Sequence, residues 1–220
     1  MPNAWSFSSL TSYETCPHRY YRERVVKDVK DKESEAMRWG NEVHEALENR
    51  VKNGIALPKS MQQWEPLVAR LLSRNARSIA EQQLCLNEQM IATDWFGKDA
   101  WCRGIVDYTL LDGEKAIALD WKTGKVKNDH DQLTLFAALI LHHYPEVNEV
   151  HTGYVWLAHG NKITTKIFLR SDLPDIWAEW LPRVRRLDIA FEEDKWEKKP
   201  SGLCRAWCPV LDCEFNGKNK

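Results

Sequence analysis

A mixed β-sheet flanked by helices, an α/β fold of the α+β kind, is what this sequence predicts. Three observations predict it: helical apolar spacing over the first third, two β-compatible apolar runs joined by Asp112-Gly113, and an order of helices, hairpin, helix, two strands, helix. The whole of 1–220 reads as a single domain. Residues 1–82 form a mainly helical N-terminal part, 83–170 the sheet core, and 171–220 a long helix with a cysteine-rich tail.

The elements follow in order. Ser8 to Thr15 reads as a short helix closed by Pro17. "SEAMRWGNEVHEALENRVKNG" is a longer one, with Met37, Val43, Leu47 and Val51 at helical spacing and Gly54 as its stop. Met61 to Gln82 continues the helical pattern through Leu67, Leu71, Leu72 and Ile79. From Trp101 the period changes. "WCRGIVDYTLL" and "EKAIALDW" flank an Asp-Gly pair, a strong short-range hairpin signal, and a turn centred near 112–113 pairs Asp107 with a residue near 118. "QLTLFAALILHHY" then reads as a buried helix, "VHTGYVWLA" and "KITTKIFL" as strands, and "DLPDIWAEWLPRVRRLDIAFEED" as a long amphipathic helix.

A chain of 220 residues with 43% hydrophobic content has enough apolar surface for a core without staples. No run reaches the roughly 18 apolar residues of a membrane span, and "MPNAWSFSSL" lacks a basic region followed by an apolar one, so a soluble cytoplasmic protein, bacterial or in a phage-infected cell, is expected. With 31 basic and 32 acidic residues the chain lacks the global positive charge of many nucleic-acid binders. DNA contact would fall to local patches at 18–24, 122–127 and 183–186.

"ALDWKTG" carries the chemistry. Asp120 and Lys122 point to one face of a strand end, while the Trp121 side chain turns into the core. Phosphodiester hydrolysis assisted by Mg2+ or Mn2+ needs hard oxygen ligands, a polarised water and positive charge near the phosphate. Asp107 and Asp120 offer carboxylates on adjacent strands, the Trp121 backbone carbonyl a third oxygen, and His44 an imidazole from the preceding helix. Lys122 can orient the water, and Gln132 can hydrogen-bond it or the phosphate from the following helix. Taken singly, His44 suits a half-buried helix position, Asp107 a solvent-facing strand and Gln132 a helix N-terminus. Glu88 in "LNEQM" suits the metal site and the surface equally.

Together "GNEVHEAL", "GIVDYTLL", "ALDWKTG" and "DQLTLFA" resemble the RecB-like, lambda-exonuclease-like branch of the PD-(D/E)XK nuclease superfamily. Gly40 with His44, Gly104 with Asp107, Asp120 with Lys122, and Gln132 match its motifs in order. The resemblance implies a restriction-endonuclease-like core and a metal-dependent DNA exonuclease acting at single- or double-stranded DNA ends in recombination, repair or phage replication. Two departures stand out: Phe136 where the family often has tyrosine, and Asp120 where glutamate is commoner. Cys16, Cys204, Cys208 and Cys213 resemble the one-plus-three cysteines that hold a 4Fe-4S cluster in CRISPR adaptation and AddB-like nucleases. Their C-x-x-x-C-x-x-x-x-C tail departs from the usual spacing, and Zn2+ is the alternative. Cys85 and Cys102 read as buried hydrophobes.

No G-x-x-x-x-G-K-[ST] pattern occurs, so unwinding would come from another protein, a helicase or recombination partner. Of the eleven tryptophans, Trp95, Trp101 and Trp207 are candidates for stacking unpaired bases, the rest for packing. The contrasting reading is a non-catalytic nucleic-acid-binding or scaffold protein organised by the four cysteines.

Overall fold

The computed structural model describes residues 4–219. Its elements run in chain order as β1 (Trp5–Ser6), α1 (Phe7–Thr15), α2 (Pro17–Tyr20), α3 (Glu35–Asn53), α4 (Glu65–Leu72), β2 (Arg77–Leu86), β3 (Cys102–Asp112), β4 (Lys115–Lys122), α5 (Asp131–His143), β5 (Glu149–Trp156), β6 (Lys162–Leu169) and α6 (Leu173–Glu192). They fall into two compact units, Glu35–Trp177 and a second joining Trp5–Ser34 with the chain from Ala178 onward.

In the first unit the strands lie in the order β2-β3-β4-β5-β6. All neighbours are antiparallel except β4 and β5, which are parallel and joined through α5. The sheet is mixed, as expected, with helices on its faces. Alternation along β3 and β4 splits their side chains. Tyr108, Leu110, Leu119 and Trp121 meet Val43 and Leu47 of α3 and Leu67, Val68 and Leu71 of α4 in one apolar cluster. The opposite face carries Asp107, Asp120 and Lys122. Every residue of α5 from Leu133 to Leu141 is buried, at about 1.5–3 kcal/mol for each large apolar side chain.

Helix α3 occupies the expected span and stops at Gly54, whose φ of 67° suits a residue without Cβ. Met37, expected on its apolar face, is instead half exposed on the wall of an open groove. The helix expected over 61–82 is corrected more deeply. A 3₁₀ stretch, Lys59–Trp64, leads into α4, which ends at Leu72, and Arg77–Leu86 is a strand. "AEQQ" has high helix propensity, but antiparallel pairing of β2 along β3 overrides it.

The hairpin forms with a shifted register. Asp112 pairs with Lys115 around the two-residue loop Gly113-Glu114, Gly113 taking a φ of 58°. Tyr108 therefore pairs with Leu119, and Asp107 comes level with Asp120 rather than with residue 118.

Gly104 lets α5 approach β3. A Cβ there would lie 2.4 Å from Leu139 Cδ1 and 3.7 Å from Phe136 Cε1. Leu139 is fully buried, so any shift of its side chain must be taken up within the core. Gly104→Ala is expected to cost about 1–3 kcal/mol by overpacking, read as a lowered thermal midpoint. Phe136 is a packing residue in this contact.

In the second unit, Ser6 caps α1 through a reciprocal box with Ser9, and α1 ends before Pro17, which holds Cys16 extended. Trp180 stacks on Trp5 at 5.8 Å, and Trp196 on Tyr20 at 5.9 Å. Two of the three basic stretches are neutralised internally here. Arg19 pairs with Glu23, Arg22 with Asp212, Arg183 with Glu14 and Arg185 with Glu192. Among the described residues no helix is long and apolar enough to cross a membrane.

Candidate functional site

Strands β3 and β4 pair only as far as Tyr108 and Leu119. Beyond that point a side chain replaces the ladder: Asp107 Oδ2 accepts the Trp121 backbone N–H at 2.7 Å. The Trp121 carbonyl is met from α3, where His44 Nε2 donates to it at 3.0 Å. His44 Nδ1 is thereby aimed at acids, 3.4 Å from Asp107 Oδ2 and 3.9 Å from Glu81 Oε1. Among the described residues His44, Glu81 and Asp107 are the one set of three or more His, Cys, Asp or Glu whose ligand atoms all lie within 4.8 Å of one another.

Glu81 was missed in the sequence. It sits on β2 at the position opposite Asp107, where the ladder between Ala80↔Tyr108 and Gln82↔Val106 skips one pair. Its φ of 47° is a left-handed conformation inside a strand, costing on the order of 1–3 kcal/mol. Such strain persists only where the surroundings impose it, and here it accompanies a carboxylate in the cluster. Glu88, the acid considered from the sequence, is exposed in the turn that follows β2.

Asp120 is 3% exposed, and its Oδ2 lies 2.5 Å from Lys122 Nζ. Lys122 Nζ also donates to Gln132 Oε1 at 3.0 Å, from the first turn of α5. The sequence-predicted residues His44, Asp107, Asp120, Trp121, Lys122 and Gln132 are thus brought together, with Asp120 turned to Lys122 and outside the three-ligand set. Burial, then the Asp107 carboxylate, push Asp120 up to about 7 against the opposing pull of Lys122. Burial by itself depresses the His44 imidazole, but Asp107, Glu81 and Asp120 outweigh it and hold the group up at about 10. Both shifts register one surplus of buried negative charge. An open groove lined by Gly40, Asn41, His44, Glu45, Glu81 and Thr123 leads to these groups.

Other candidates are distributed differently. Trp101 is buried and packs on Trp177 at 5.9 Å, which removes it as a base-stacking residue. Trp95 lies under the Arg103 guanidinium at 5.5 Å, and Trp207 is 73% exposed. Cys85 and Cys102 are buried, as expected.

In the second unit Cys16, Cys204, Cys208 and Cys213 line one small cavity, rimmed by His18, Arg19, Lys198 and Lys199. No three of their sulfurs fall within 4.8 Å of one another. Burial pushes the Cys208 thiol up, while Arg19 beside it favours the thiolate.

The geometry agrees with comparisons to known proteins. No curated protein matches the chain significantly. A crystal structure described as "Putative exonuclease" from Eubacterium rectale is similar over 99% of this chain and 88% of its own, at 13% identity and a TM-score of 0.55, a likeness of fold. A second solved structure, described as SSO0001, covers 98% of this chain and 88% of its own, at 14% identity and a TM-score of 0.47. The family profile of the PD-(D/E)XK nuclease superfamily matches residues 4–213, a span containing every group of the strand-end site. With acid-x-lysine closing β4 beside Asp107, and a profile match over nearly the full length, the chain belongs to the PD-(D/E)XK nuclease superfamily.

Proposed function

We propose that the protein is a divalent-metal-dependent DNA exonuclease that hydrolyses phosphodiester bonds at DNA ends. The observation that carries this reading is the convergence of His44, Glu81 and Asp107 beside the buried Asp120–Lys122 pair. The donor set fits a divalent ion: hard carboxylate oxygens, one imidazole nitrogen, and a surplus of buried negative charge for the ion to neutralise. Asp120, level with Asp107 and held by Lys122, adds a buried carboxylate beside the set.

His44, Glu81, Asp107 and Asp120 would hold Mn2+ or Mg2+, which when bound lowers the pKa of water and draws charge from the phosphate. His44 Nδ1, which faces Asp107 and Glu81, would be the ligating atom of its ring, with Nε2–H given to the Trp121 carbonyl. Such an anchor fixes the tautomer and orientation of a metal-bound histidine. The Trp121 carbonyl, the third oxygen expected from the sequence, lies against His44 at the same strand end. Lys122 supplies a fixed positive charge for the phosphate and orients the attacking water, and Gln132 holds the Lys122 ammonium in place.

The preference for ends follows the resemblance of the His44 helix to the exonuclease branch. Linear end-labelled single- and double-stranded DNA and covalently closed circles should be digested in parallel. Expected is stepwise loss from the ends of linear DNA, with circles spared and no reaction in chelator. Circles cut as fast as linear DNA would overturn the exonuclease reading, and inactivity with every divalent ion would overturn the enzyme. An imidazole among oxygen ligands favours Mn2+ over Mg2+. Cleavage should therefore run faster with Mn2+, and His44→Ala should narrow the difference between the two ions.

In the second unit, the four cysteines are proposed to hold a 4Fe-4S cluster. Their meeting at one small cavity supports it, and the basic rim suits the negative charge of four thiolates. DNA reaches the site as the substrate. The exposed lysines 125 and 127, for which no ion pair is seen among the described residues, are its proposed backbone contacts.

A further inference from the structure

Lys122 is held on three sides. Its Nζ meets Asp120 Oδ2 at 2.5 Å and Gln132 Oε1 at 3.0 Å, and it stands 5.1 Å from the centre of the Tyr154 ring. The acid and the amide belong to the motifs of the fold. The ring belongs to none of them.

Tyr154 is placed for this contact by the sheet. It pairs with Asp120 across the parallel strands β4 and β5, so the two side chains leave the same face, with Lys122 two residues further along. The ring is 4% exposed, lies 5.5 Å from Trp156, and clusters with Leu133 and Trp156, with Val126 packed against them. Its hydroxyl meets the backbone of Leu133, the residue that follows Gln132. Packing thus fixes the ring rigidly, whereas a lysine ends a four-carbon stem with many rotamers. Asp120 alone would draw the ammonium toward its own carboxylate. A ring face on another side opposes that pull and keeps the charge turned toward the site.

We propose that Tyr154 is a positioning residue for phosphodiester hydrolysis, its ring face setting the place of the Lys122 ammonium through a cation–π contact. The inference rests on the nuclease reading of the site given above. Tyr154 works through Lys122 and need not touch DNA. The same cluster steadies the first turn of α5, so one apolar block places both Lys122 and its amide partner Gln132.

The test compares wild type with Tyr154→Phe, which keeps the ring and loses the hydroxyl, and with Tyr154→Leu, which loses both. Tyr154→Met is a second ring-free variant should the leucine chain fail to fold. Two readouts are taken: kcat and KM on end-labelled linear DNA with Mn2+, and the NMR shift of the Lys122 ε-methylene, assigned with Lys122→Met. Expected is an upfield ring-current shift in wild type and Tyr154→Phe that is lost in both ring-free variants. Their kcat should fall about two- to thirtyfold with KM unchanged, while Tyr154→Phe stays within about twofold of wild type. A Lys122 shift indifferent to loss of the ring, or ring-free variants with wild-type kcat, would overturn the proposal while leaving the nuclease reading intact. A wild type inactive with every divalent ion would sink the nuclease reading and the positioning role with it, leaving any NMR shift as a structural contact.

Discussion

Lys122→Met and Asp107→Asn are each expected to lower metal-dependent DNA cleavage by at least about a hundredfold, the scale of losing a general-acid/base or electrostatic group. The two fail for different reasons. Methionine keeps the length and apolar stem of Lys122 but removes the charge beside Asp120 and the donor to Gln132. Metal should still bind, and the loss should fall on kcat. Asparagine at 107 keeps an oxygen to accept the Trp121 N–H, so the strand end stays latched, but it removes one carboxylate from the ligand set. The loss there should appear as weakened metal affinity, partly restored by raising Mn2+. Rates measured across a Mn2+ titration separate the two. Equal metal dependence in both variants would contradict the division of roles.

Cys16→Ser is expected to have the second largest effect, on stability and metal content. Cys16 lies in the N-terminal part of the second unit and the other three cysteines in its C-terminal part, so the proposed cluster would crosslink segments distant in sequence. Structural metal sites of this kind contribute on the order of 10 kcal/mol to folding. Wild type purified anaerobically should be brown, with about four irons and four sulfides per chain. Cys16→Ser should lose colour and iron, and its thermal midpoint should drop well below that of Cys85→Ser, whose thiol is buried away from the cavity. A colourless wild type with one zinc per chain would contradict the cluster.

Much of the site was legible because its parts are local. Asp120 and Lys122 share a strand face by alternation alone, Asp112-Gly113 marks the hairpin, and His44 and Gln132 lie on helices whose spacing is plain. Glu81 was not legible, because "AEQQ" carries helix propensity and becomes a strand only by pairing with β3. Nor was the register, which hangs on Gly113-Glu114 rather than Asp112-Gly113 forming the loop. That two-residue slip is what sets Asp107 level with Asp120. Tyr154 escaped for a similar reason, since a parallel pairing between β4 and β5 leaves no mark in either strand alone. Local pattern reveals elements, whereas the ligand set depends on how distant strands align.

Direct measurement of Mn2+ binding by electron paramagnetic resonance bears on the central claim without requiring turnover. Free Mn2+ gives a sharp signal that is lost on binding, so titrating wild type, Glu81→Gln and Asp107→Asn reports the ligand set itself. The account predicts a saturable tight Mn2+ site in wild type, weakened at least about tenfold by either substitution at unchanged thermal stability. Tight binding unaltered by both substitutions would contradict it.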